Sequence, residues 1–172
     1  MKKLLVLVVS LVCCGGNSHN TFKFKHSPPD LVTNVKGVCK GKNKNYLAAL
    51  NLEQAQESEE RYVFLPDAGM EALKGYLNAE QCLRDLGQAR EANQATESAV
   101  QLAKRLEHDY RKTWLRARHS LNVGAFRDGV RDLRRLEAFL KGSGQHPFKS
   151  ELSQKIGKLI NDGADNRTDS KG

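Results

Sequence analysis

The stretches YLNAEQCLRDLG (residues 76–87) and WLRARHSLNVG (residues 114–124) repeat one pattern, and this pattern decides the fold. In each stretch an aromatic residue is followed by leucine, by alanine at the third position after it, and by a second leucine at the seventh. A glycine closes each stretch, and glycine commonly ends a helix. Residues 89–108 and 126–141 then place apolar residues three and four positions apart, which predicts a second helix after each turn.

The duplicated helix–turn–helix resembles the tetratricopeptide repeat (TPR) over roughly residues 70–141. The resemblance implies that a bulky aromatic residue fills the gap between helices and that small residues allow the helices to cross closely. The matching positions are Tyr76 and Trp114 for the aromatic residue, and Ala79, Ala117, Ala92 and Gly129 for the small residues. The match is degenerate, because Leu83 and Leu121 stand where the family has tyrosine. A plain antiparallel helical bundle is the alternative.

The predicted fold class is all-α, with antiparallel helix pairs stacked as a short TPR-like solenoid and a C-terminal capping helix. The predicted helices cover about residues 46–60, 67–86, 89–108, 110–123, 126–141 and 147–161. We therefore expect one helical TPR-like domain over residues 46–161. A flexible basic tether at residues 15–45 precedes it, and a disordered polar tail at residues 162–172 follows it.

The first residues are typical of an export signal. Lys2 and Lys3 precede an apolar run that is too short to span a membrane, and small residues follow the run. The sequence therefore predicts a signal peptide over residues 1–14. A buried N-terminal helix is the alternative.

Residues 11–14, Leu-Val-Cys-Cys, resemble the lipobox of bacterial lipoproteins. The resemblance implies that Cys14 carries acyl chains, becomes the mature N-terminus and anchors the exported protein to a membrane, facing the periplasm. Cys13 stands where the family usually has glycine, alanine or serine, and ordinary cleavage with release is the alternative. Cys39 and Cys82 remain in the mature chain, where they either form a disulfide or stay as two unpaired small hydrophobic residues.

The formal charge of +8 is unevenly distributed, because residues 110–149 carry ten basic and three acidic side chains, a net +7. Four arginines form a basic stripe on the helix after Gly124: Arg127, Arg131, Arg134 and Arg135. The stripe is either a solvated face or a surface that binds an acidic protein, an anionic polymer or anionic lipid. Nucleic acid is not an expected partner, because no aromatic stacking platform accompanies the positive charge.

The sequence carries no motif that indicates catalysis or a metal or cofactor site. Its five histidines are scattered, and it contains neither a glycine-rich phosphate loop nor a nucleophile elbow. We therefore do not expect an enzyme, a metal or a cofactor.

The expected function is that of an envelope-anchored adaptor or assembly factor that binds a protein partner of a larger envelope complex. The alternative is a structural lipoprotein whose basic stripe binds an anionic polymer or a membrane surface. In TPR-like stacks the first helix of each repeat lines a concave groove, and the resemblance places partner binding there. The expected groove residues are Leu77, Gln81, Arg84, Leu115, His119 and Asn122.

Overall fold

The computed structural model describes residues 22–33, 35–141 and 146–168. This part of the chain contains no strand and five helices: α1 (Lys44–Tyr62), α2 (Pro66–Asp85), α3 (Ala89–Asn122), α4 (Phe126–Phe139) and α5 (Pro147–Thr168). The predicted all-α class is therefore confirmed. Proline begins α2 and α5, where its missing N–H costs no helical hydrogen bond. Gly87 and Gly124 take positive φ angles at the turns after α2 and α3, a conformation that glycine adopts without strain.

Helix α3 is a single helix of 34 residues, and the predicted break before residue 110 is wrong. The segment between Gly87 and Gly124 contains neither glycine nor proline, so neither of the residues that most strongly interrupt a helix occurs in it. Tyr110 and Thr113 are buried like the apolar residues before and after them. The core face of α3 therefore continues across the predicted boundary.

Helices α2 and α4 lie end to end along α3. Helix α2 packs on the N-terminal half of α3, where Gly69 meets Leu106, and α4 packs on the C-terminal half, where Gly129 meets Leu121. Just after α4, the Lys141 ammonium donates a hydrogen bond to Asp67 of α2 at 2.9 Å. The helix pairs are thus antiparallel, but they share one long helix, and the predicted solenoid stacking is not confirmed.

The alanine and the second leucine of the pattern lie in the core of both copies, whereas the aromatic residue does so only in the first copy and the leucine after it in neither. Five of the repeated positions are at most 5% exposed: Tyr76, Ala79, Leu83, Ala117 and Leu121. A Cβ atom on Gly129 would lie 2.6 Å from the Leu121 side chain, so the glycine allows α4 to approach α3. The aromatic residue of the second copy, Trp114, is half-buried and packs against the rings of Phe24 and Phe148. It therefore lies under other segments of the chain and does not fill a gap between α3 and α4.

Helix α5 packs against α4 and buries Phe148, Leu152 and Ile156. It begins at Pro147, as predicted, but it continues past residue 161 to Thr168. No proline interrupts the chain after Pro147, and the glycine at 163 is tolerated inside the helix. Most of the segment that was expected to be disordered is therefore helical, and residues 169–172 lie outside the described part.

Residues 22–33 and 35–43, here called the strap, form neither helix nor strand and lie along α3 and α2. Leu31 is 4% exposed, and four further apolar side chains of the strap pack on the same core: Phe22, Phe24, Val32 and Val35. A Cβ atom on Gly37 would lie 2.1 Å from the Leu77 carbonyl oxygen, so only glycine fits at this crossing. The described part of the expected flexible tether is therefore packed on the helices.

Candidate partner-binding site

The strap reaches the expected partner-binding groove at two of its six residues, Leu77 and Asn122. Three strap amides donate hydrogen bonds to side chains of α2 and α3: Phe22 to Asn122 Oδ1 (2.9 Å), Leu31 to Glu107 Oε2 (3.3 Å) and Val38 to Asn78 Oδ1 (2.8 Å). The polar side chains of α2 and α3 therefore hold the backbone of the strap, which is part of the same chain.

The six predicted groove residues do not form one open groove. Leu77 is half-buried where the strap crosses α2, and the Asn122 side chain accepts a hydrogen bond from the strap. Gln81 and Arg84 are exposed and form hydrogen bonds with acidic side chains of their own helix. Leu115 and His119 are exposed, but they lie on the C-terminal half of α3, away from the α2 residues.

The basic stripe is exposed at three of its four positions. Arg127, Arg131 and Arg134 point to solvent from α4, and Arg131 pairs with Asp128 at 3.0 Å. Arg135 differs, because its side chain is partly covered and its Nε is buried without a hydrogen-bond partner. The exposed stripe therefore consists of the first three arginines.

The strap is fixed at its C-terminal end by a covalent bond. Cys39 and Cys82 form a disulfide, with Cα atoms 5.0 Å apart and a sequence separation of 43 residues. Cys82 is fully buried on α2, and the sulfur of Cys39 reaches it from the strap. The disulfide therefore joins the strap to α2 just before α1 begins.

The N-terminal half of the strap is fixed by Glu151 of α5 and by ring packing. The Glu151 carboxylate accepts hydrogen bonds from the amides of Lys25 and His26 at 2.6 and 2.9 Å. Burial acts to raise the pKa of Glu151, but these two amides and the His26 ring outweigh burial and lower it below its ordinary value of 4.5. The Phe24 ring centroid lies 4.7 Å from that of Trp114.

We expect Glu151→Gln to lower the free energy of unfolding by about 1–2 kcal/mol at neutral pH, because charge-assisted hydrogen bonds to the strap are lost. Since the folded pKa is lowered, the ionised carboxylate stabilises the folded chain above pH 4.5, and this stabilisation is lost as the pH falls through the folded pKa. The difference between the two proteins should therefore shrink below pH 4.5. Urea denaturation at several pH values measures it, with Trp114, the only tryptophan, as the fluorescent reporter.

Asp162→Asn is the matched control for this prediction, because Asp162 is an exposed carboxylate of the same helix and no side chain of the strap contacts it within the described residues. It should leave both the stability and its pH dependence unchanged. A stability difference for Glu151→Gln that stays constant from neutral to acidic pH would contradict the assignment.

The turn between α1 and α2 exposes three consecutive apolar side chains, here called the apolar turn. Val63, Phe64 and Leu65 are 69%, 80% and 50% exposed. Exposed apolar residues that are adjacent in the chain mark binding surfaces more often than scattered ones do. The sequence indicates this surface, because an apolar triplet lies between a predicted helix and Pro66.

The backbone of the apolar turn is hydrogen-bonded to the end of α1 that precedes it. The amides of Phe64 and Leu65 both donate to the Arg61 carbonyl oxygen at 3.0 Å. Before the turn, the Tyr62 hydroxyl donates to Asp109 at 2.6 Å, and burial together with this carboxylate raises the pKa of Tyr62. A rigid display of apolar side chains lowers the entropic cost of binding a partner.

A second apolar surface lies at the turn between α3 and α4. Val123 is 62% exposed and Phe126 is 56% exposed, on either side of Gly124. Leu115, on the outward face of α3, is also 62% exposed. The described residues therefore display apolar side chains at two separate turns.

Cys13, Cys14 and the rest of the predicted signal peptide lie outside the described residues. No helix in the described part of the chain is long and apolar enough to cross a bilayer. Within residues 22–33, 35–141 and 146–168, no three histidine, cysteine or carboxylate side chains come together as metal ligands.

No family model, no curated protein and no solved structure matches this chain.

Proposed function

We propose that this protein is an exported, lipid-anchored helical protein that acts as an adaptor or assembly factor for a larger envelope complex. The pairs α2–α3 and α3–α4 are degenerate TPR-like units. The second helix of the first unit and the first helix of the second unit are joined in one helix, α3. The equivalent burial of Ala79 with Ala117 and of Leu83 with Leu121 supports this relation. The anchor is the lipid on Cys14.

The apolar turn is the observation on which the proposal depends. Phe64 is 80% exposed, at a position where a polar residue would fit equally well. Binding hot spots combine large apolar or aromatic side chains with a rigid setting, and the hydrogen bonds around Arg61 and Tyr62 supply that setting. Exposed apolar surface of this kind is stabilised when a partner protein covers it. The partner is therefore a protein with an apolar pocket that accepts Phe64.

Photo-crosslinking from position 64 in the cells that produce the protein tests this function. A photoreactive phenylalanine analogue at Phe64 should give one discrete crosslinked protein, and the same analogue at Phe126 should not give that product. Val63→Ser combined with Phe64→Ser should weaken capture of the crosslinked partner by about tenfold or more, as expected for a hot spot. The melting temperature should stay nearly unchanged, because both side chains are exposed.

Two outcomes would contradict the proposed function. One is a crosslinked product with twice the mass of this chain, which would identify a second copy of the protein at the apolar turn. The other is capture that survives the double substitution at positions 63 and 64, which would place the partner elsewhere on the surface.

A further inference from the structure

The turn between α3 and α4 combines exposed apolar side chains with a positive residue. Val123 and Phe126 are more than half exposed, and Arg127 follows directly and is exposed as well. We call these three residues the anchor-end patch. Among the described residues, no side chain covers the exposed faces of Val123 and Phe126.

The strap places the start of the described chain beside this patch. The Phe22 amide donates to Asn122 Oδ1 at 2.9 Å, and Asn122 directly precedes Val123. The Lys155 ammonium lies 4.7 Å from the Phe22 ring centroid, which fixes this end of the strap to α5 as well. Residues 15–21 separate Phe22 from Cys14, and a chain of this length spans at most roughly 30 Å. A lipid on Cys14 therefore keeps the patch near the bilayer.

The charge around the patch matches an anionic surface. Residues 110–127 contain five basic residues and no acidic residue. Arg111 and Arg116 pair with Glu107 and Asp132, whereas Lys112, Arg118 and Arg127 form no ion pair among the described residues. Lys23 adds an exposed positive charge where the strap meets α5, while Lys155 at the same place pairs with Glu151 at 3.8 Å. The nearest carboxylate in the sequence, Asp128, pairs with Arg131. Basic residues beside exposed apolar side chains favour binding to anionic lipid headgroups, because the charges approach the phosphates while the apolar groups enter the interface.

We infer that the anchor-end patch contacts an anionic lipid bilayer, and this inference rests on the lipid attachment proposed above. It assigns an orientation to the anchored protein. The apolar turn lies near Asp109, because Tyr62 binds that residue, and Asp109 is 13 residues before Asn122 in α3. At 1.5 Å per residue the apolar turn stands about 20 Å further along α3 than the patch. The bilayer and the protein partner therefore use different ends of the molecule.

Vesicle binding by the unlipidated mature chain tests the inference. The protein begins at residue 14 and carries Cys14→Ser, so it retains every described residue and has no lipid. It should bind vesicles of phosphatidylglycerol and phosphatidylcholine more tightly than vesicles of phosphatidylcholine alone, and salt should weaken this binding. Val123→Ser with Phe126→Ser should lower the partition constant by about tenfold, because two side chains leave the interface while the net charge stays the same.

The matched control is Val63→Ser with Phe64→Ser, which makes the same type of change at the apolar turn. It should leave vesicle binding unchanged. The inference is overturned if the unsubstituted protein does not bind anionic vesicles, if both double variants lose binding equally, or if substitution at positions 123 and 126 has no effect. Crosslinking from Phe64 reports on the protein partner separately, so failure of the vesicle experiment leaves the adaptor function open to its own test.

Discussion

Replacing Phe139 with alanine should lower the free energy of unfolding by about 3–5 kcal/mol, the usual cost of truncating a buried phenylalanine. Phe139 is fully buried at the end of α4. Its ring centroid lies 5.8 Å from that of Tyr110 on α3 and 6.4 Å from that of Tyr62 on α1. Three helices therefore contribute to the space that alanine would leave empty, and their other contacts keep them from closing it. Urea denaturation followed by Trp114 fluorescence measures the change.

Phe126→Ala provides the control, because it makes the same chemical change at the other end of the same helix. Phe126 is 56% exposed, so its truncation should change the free energy of unfolding by no more than about 0.5 kcal/mol. Equal costs for the two substitutions would show that Phe139 does not join the three helices. Tyr62 also positions the apolar turn, so Phe139→Ala should weaken partner capture as well as stability.

The helix boundaries could be predicted where a residue ends or begins a helix by its own chemistry. Gly87, Gly124 and Pro147 each mark a boundary that the structure contains. The boundary before residue 110 had neither glycine nor proline to support it. The spacing of the buried residues predicts a continuous helix there, because the apolar face of α3 runs through Tyr110 without a change of phase.

The packing of the strap could not be predicted, because the residues that hold it are far away in the sequence. The amide of Phe22 binds a residue 100 positions later, and the amides of Lys25 and His26 bind one more than 120 positions later. Local patterns carry no information about such pairs. Phe22 and Phe24 are the residues that could have indicated this packing, since two aromatic residues are costly to leave exposed in a free tether.

The exposure of the candidate binding residues could be predicted only in part. His119 lies opposite the core face of α3, so the helical period places it in solvent, as observed. The same argument fails for Leu77, because the strap covers the position beside the core face of α2. The apolar turn shows the opposite case, in which Phe64 remains exposed because no segment folds over it. Tertiary contacts decide both outcomes.

Replacing Lys112 with proline should lower the free energy of unfolding by about 3 kcal/mol or more. Lys112 is exposed and lies inside α3, where its amide is positioned to bond the carbonyl of residue 108. Proline removes this hydrogen bond, and its ring clashes with the same carbonyl group. Because α2 and α4 both pack on α3, a kink at this point also separates the two helix pairs. Urea denaturation measures the loss, and circular dichroism measures helix content.

Two controls separate the helix break from other effects of the substitution. Lys112→Ala removes the same side chain and should change stability by no more than about 0.5 kcal/mol. Ala89→Pro places proline at the first residue of α3, where it should be tolerated. If a new helix began at residue 110, as the repeat pattern predicts, residue 112 would lie in its first turn and proline would be tolerated there as well. An almost unchanged free energy of unfolding for Lys112→Pro would therefore support a helix break between the repeats and with it the stacked arrangement. A large loss of stability requires α3 to be continuous.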